Sequence, residues 1–67
     1  MAAPIITIEV ARAKRAGWPT WKVREITARG AVRASYECQS YREAVSTAEG
    51  SARRHAIARS AIRYINP

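Results

Sequence analysis

Sixty-seven residues allow one small domain, residues 1–67, and a chain this short buries only about 60% of the surface it exposes unfolded, so its stability is marginal and a homodimer interface would help. Hydrophobic residues make up 48%, which excludes a disordered chain, and the lone cysteine, Cys38, excludes an internal disulfide. The formal net charge is +7, all five acids are Glu, and ten of the twelve cations are Arg, a balance that attracts polyanions or an acidic protein face.

Pro4 to Arg12 alternates, with Ile6, Ile8 and Val10 to one side and Ile5, Thr7 and Glu9 to the other, and so predicts a strand with one buried face. Arg12, Lys14 and Arg15 follow, ahead of Gly17 and Pro19. Glycine and proline this close predict a loop carrying three cations, with Trp18 in it. Thr20 to Thr27 is a second strand, with Trp21 and Val23 on one side and Lys22 and Arg24 on the other. Ile26 falls on the cationic side, so either a bulge resets the register or that face is partly covered. Ala28-Arg29-Gly30 supplies a hairpin turn. Ala31 to Cys38 returns with Val32, Ala34, Tyr36 and Cys38 inward and Arg33, Ser35 and Glu37 outward.

Ser40-Tyr41-Arg42-Glu43 has the capping-box form that opens a helix. At about 100° per residue, Tyr41, Ala44, Val45, Ala48, Ala52, His55 and Ala56 share one face. Gly50 lies opposite that face, where it costs roughly 1 kcal/mol in propensity and leaves no hole in the core. The helix, Ser40 to Ala56, is therefore predicted to run through it. Ala58 to Ile65 reads as a fourth strand, with Asn66-Pro67 ending the pairing. The predicted fold is α+β, in the order β-β-β-α-β: a four-stranded, mainly antiparallel sheet with one helix packed on one face. The last strand lies beside the first or the third, and the other sheet face stays open.

Catalytic chemistry is not expected. His55 falls on the packing face of the helix, Cys38 lies in a strand without a nearby histidine, and Ser40 is used as a cap. Paired carboxylates, a glycine-rich phosphate loop and metal-ligand spacing are all missing from the sequence, so no cofactor is implied. The opening Met-Ala-Ala-Pro has no basic or apolar leader character, and no apolar run approaches the roughly 20 residues that cross a bilayer. A cytoplasmic protein without a membrane partner is expected. Recognition remains. The candidate partner-binding residues are Lys22, Arg24, Arg33 and Arg63 on the open face, with Arg12, Lys14, Arg15 and Trp18 beside them. Arginine suits this role because its planar fork grips phosphates and carboxylates in pairs. The same charges also serve solubility. Trp21, Tyr36 and Tyr64 are predicted to look inward, and no zinc-finger, helix-turn-helix or RNP-type motif is present, so sequence-independent contact is the form of nucleic-acid binding left open.

A short meander, then a helix opening with "SYREAVSTAE", then a closing "AIRYI" strand resembles the plan of several small phage-encoded anti-CRISPR proteins. The pairing of a W-x-V strand (Trp21-Lys22-Val23) with a capped E-A helix (Glu43-Ala44) is also similar to small bacterial domains of unknown function. The first resemblance implies a non-enzymatic inhibitor that docks a basic surface on a Cas surveillance complex and interferes with target DNA binding. The alternative is a sequence-independent nucleic-acid-binding accessory protein.

Overall fold

The computed structural model describes residues 3–65. In chain order these form β1 (Ile5–Arg15), β2 (Trp18–Thr27), β3 (Val32–Cys38), α1 (Tyr41–Arg54), a 3-10 turn at Arg59–Ala61 and β4 (Ile62–Ile65). The sheet order is β3-β2-β1-β4, with α1 on one face. This is the expected α+β arrangement. The Asn66-Pro67 stop lies outside the described residues.

The stretch expected as a cationic loop is instead strand. Arg12 pairs with Trp21, Lys14 with Pro19 and Arg15 with Trp18, so β1 and β2 run on to a two-residue turn at Ala16-Gly17. Both turn residues have positive φ, 51° and 84°, the handedness that matches strand twist and closes the tightest hairpins. Pro19 is tolerated because the pair closing such a turn is the hydrogen-bonded one. One residue on, the position of Pro19's missing N–H faces away from β1, on a side where β3 has already ended at the Trp21–Cys38 pair.

Two register slips correct the expected faces. Ile5 pairs with Thr27 but Thr7 with Ile26, leaving Ile6 as the extra residue. Ile5 consequently joins the core at 8% exposure, while Ile6, expected inside, is 49% exposed. A second slip pairs Glu25 with Ala34 and Ile26 with Val32, leaving Arg33 between them and Val32 exposed. Tyr36 stays on the helix side, beside Val23, but near the outer margin of the sheet, where it is partly exposed.

The core is small and tightly layered. Ile8, Val10, Val23 and Cys38 from the strands meet Ala44, Ala48 and Ala52 from the helix, with Ile62 closing one side. Alanines let α1 lie close on the sheet. The Ser40 hydroxyl accepts from the Glu43 backbone N–H at 3.1 Å, satisfying one of the orphan donors at the helix start. The helix passes through Gly50 as expected, although Gly50 is half-buried rather than fully outward. It stops at Arg54, not Ala56. There Ile57 N–H bonds the Ala52 carbonyl and Ala56 N–H that of Arg53, a Schellman ending with Ala56 in the left-handed conformation at φ 56°.

The last strand settles beside β1, and the sheet is mixed rather than mainly antiparallel. A single helix returns the chain to the end of the sheet where β3 began, so β4 must run parallel to β3. Since β3 and β1 are both antiparallel to β2, β4 is parallel to β1 as well. Ala58–Ala61, expected as strand, is the link and 3-10 turn that carry the chain into a four-residue β4.

Candidate functional site

Cross-strand partners point to the same face of a sheet, so the ladders assign every cation a side. Arg12 and Lys14 share the face of Val10 and Val23, which is the helix side. Arg15, Lys22 and Arg24 lie on the opposite, open side, with Arg63 beside Glu9 on β4. The eight candidate residues therefore do not form one platform. Arg12, Lys14, Arg15 and Trp18 belong to a free ribbon. Among the described residues β3 pairs no further than Trp21 and β4 no further than Ala11, so no described strand pairs with the hairpin between Arg12 and Thr20. At about 3.4 Å per residue this segment projects on the order of 14 Å. It gives the molecule its long axis, 38 Å against 19 and 17 Å.

The open face carries acids as well as cations. Glu9 holds Arg24 at 3.2 Å, and Glu37 reaches across β2 to hold Arg15 at 2.8 Å. Arg33 turns its guanidinium to the Ala3 carbonyl at 3.2 Å. Arg12, Lys14, Lys22 and Arg63 have no carboxylate within 4.0 Å among the described residues. Arg12 and Lys14 on the ribbon and Lys22 at its root are thus free, as are Arg29, Arg42 and Arg53 elsewhere among the described residues. Trp18, at the start of β2 next to the turn, is 74% exposed, the most exposed large apolar side chain described. Shallow hollows flank the ribbon, one lined by Arg15, Trp18, Thr20 and Gln39, the other by Arg12, Lys14 and Pro19.

On the helix side, where the ribbon leaves the body, Trp21, Tyr41 and Tyr64 form a row with ring centroids 6.3 Å apart at each step. Tyr41 and Tyr64 are each 39% exposed, and with Tyr36 at 37% the sheet's aromatics Tyr36 and Tyr64 are not wholly inward. Burial pushes the Tyr64 phenol above its ordinary 10.0, with Tyr41 and Glu49 adding to the rise and Arg59 opposing it.

Sequence reasoning passed over one buried polar cluster. Glu25 is 4% exposed beneath the end of α1. The fully buried Ser51 hydroxyl donates to its Oε2 at 2.5 Å. His55 Nε2 lies 3.3 Å from Oε1, off hydrogen-bond geometry, and Arg54 Nη1 stands 3.9 Å from Oε2. Serine, histidine and a carboxylate meet here, but the carboxylate is in the middle. The Ser51 hydroxyl bonds Glu25 and His55 Nε2 makes no hydrogen bond to it, whereas an activated nucleophile hydrogen-bonds its base. The cluster ties helix to sheet. Its signal in the sequence was Ser51 two turns after Ala44, on the stripe that packs.

Among the described residues no group of three or more His, Cys, Asp or Glu is placed to hold a metal ion, and no helix is long and apolar enough to cross a membrane. Compared with known proteins, the chain matches no family model, no curated protein and no solved structure.

Proposed function

We propose that this chain is a non-catalytic nucleic-acid-binding module that grips the phosphate backbone with its projecting ribbon, independently of sequence. The observation that carries this is the projecting Arg12–Thr20 hairpin, with Arg12 and Lys14 on one face and Lys22 at the root of the other, none within 4.0 Å of a carboxylate among the described residues. The major groove of duplex DNA is about 12 Å wide and admits a two-stranded ribbon. Cations on both faces of such a ribbon meet phosphates on both walls. A flat basic sheet would suit a flat acidic surface better, and Glu9 and Glu37 already neutralise part of that sheet. Salt dependence supplies the test. Each phosphate contact steepens the fall of log affinity with log salt by about 0.9. Reversing Arg12 and Lys14 to Glu should weaken binding to plain duplex DNA in a fluorescence-anisotropy titration and flatten that slope by about 2. The same reversal at Arg42 and Arg53, on the outside of α1, should matter much less. A wild-type chain that binds no DNA at low salt rejects the reading.

One feature favours a second reading, the inhibitor that the anti-CRISPR resemblance implies. Trp18 is exposed beside Arg15, and tryptophan and arginine are both residue types enriched in protein–protein hot spots. In that case Trp18→Ala abolishes co-purification with a Cas subunit while leaving affinity for duplex DNA almost unchanged.

A further inference from the structure

The outer edge of β3 is bare. Its residues from Val32 to Glu37 are exposed or half-exposed, and nothing among the described residues pairs with that side. Sheets usually blunt such an edge with proline, charged side chains, bulges, covering segments or very short strands. The opposite edge, β4, is four residues long, whereas β3 has seven, contains neither proline nor lysine, and is regular from Ala34 to Cys38, beyond its one bulge at Arg33.

The direction of its free backbone groups follows from the hairpin. The Arg15–Trp18 pair closing the two-residue turn is hydrogen-bonded, so alternation along β2 turns the N–H and C=O of Trp21, Val23 and Glu25 toward β3. Their partners Cys38, Tyr36 and Ala34 turn inward to meet them. Ser35 and Glu37, in between, present their N–H and C=O to the open edge.

We infer that a second copy of this chain occupies that edge, with β3 antiparallel to the partner's β3 about a two-fold axis at Ser35. The strand is complementary to itself in this register. Ser35 meets the partner's Ser35 as a hydrogen-bonded pair, and Arg33, at the bulge, comes opposite the partner's Glu37, twice by symmetry, exchanging its 3.2 Å bond to the Ala3 carbonyl for that carboxylate. Tyr36, 37% exposed in one chain, packs against the small side chain of the partner's Ala34. Glu37 can serve two arginines, because Oε1 takes Arg15 at 2.8 Å while Oε2 has only a long 3.5 Å contact from the Thr20 hydroxyl. An unrelated strand matches this edge only through its backbone, whereas a second copy also matches its charges. The inference does not depend on nucleic-acid binding.

Sedimentation equilibrium over a concentration series tests it. Ser35→Pro removes an outward N–H that the single chain does not use, so the variant should keep its circular dichroism spectrum and lose the dimer, with the dissociation constant raised at least about tenfold. Charge reversal gives an independent arm should that variant fail to fold. R33E and E37R should each weaken the dimer about tenfold, by placing like charges opposite one another at two sites. The double variant R33E/E37R should restore it. A wild-type chain that remains monomeric at its highest soluble concentration overturns the inference. So does a dimer indifferent to Ser35→Pro, or a double variant no better than the single ones.

Discussion

Glu25 sits where β2 slips register and α1 ends, and the Ser51 hydroxyl, the Arg54 guanidinium and the His55 imidazole at the helix end gather around it. A carboxylate at 4% exposure is costly unless its oxygens keep their partners. Among the described residues the Ser51 hydroxyl is the one donor to it with good hydrogen-bond geometry. Ser51→Ala should therefore destabilise the domain by about 1–3 kcal/mol, because the carboxylate is left short of a donor while the helix itself loses nothing. In a domain of this size each kcal/mol moves the thermal midpoint by roughly 4–8 °C, so calorimetry resolves the effect easily. A midpoint within a degree of wild type would mean that Glu25 does not depend on Ser51. Nothing in the residue types marked Glu25 as buried. Its place on the inward side of β2 followed from alternation with Trp21 and Val23, but only the docked helix covers it.

Two small residues, one inside α1 and one just past its end, are each in the position that suits the other. Gly50 occupies a helix interior, where an added Cβ would meet nothing nearer than the Arg53 guanidinium at 4.0 Å. Gly50→Ala should stabilise the chain by up to about 1 kcal/mol. Ala56 occupies the left-handed position of the Schellman ending, which glycine fills without strain, and Ala56→Gly should gain about 1 kcal/mol. Thermal denaturation of both variants checks this, and a loss at either site would contradict the backbone geometry described. The ribbon is the other informative element. Gly17 and Pro19 suggested a loop because both residues commonly break strands. The period-2 pattern nevertheless continued, with Arg12 and Lys14 alternating against Ala11, Ala13 and Arg15. Ala16-Gly17 is a sufficient turn, and proline is harmless where the neighbouring strand has ended.

At the scale of the molecule, a thin core supports a strongly charged arm. The body rests on few large apolar side chains, so its stability should respond to any ligand held by the folded ribbon but not by the unfolded chain. Duplex DNA at about 100 times its dissociation constant should add about 2.7 kcal/mol to stability and raise the melting temperature accordingly. The rise should shrink with added salt and vanish in the Arg12→Glu/Lys14→Glu variant. No rise at low salt, in a chain that binds DNA, would mean that binding does not require the folded hairpin.

Element order, the helix through Gly50, its serine cap and the alanine packing face were all determined by the sequence, because each rests on local periodicity or on groups within a few residues of each other. The projection of the cations on a ribbon was not. It depends on how far the described pairing of β3 and β4 extends along β1 and β2, and that extent is set by contacts between distant segments. The same holds for the two register slips that bury Ile5 and expose Ile6 and Val32, since a one-residue offset reverses every side chain beyond it. The parallel placement of β4 was likewise tertiary. Four residues can pair equally well with either edge by composition, and the path of the helix across β2 and β1 decides which edge they reach.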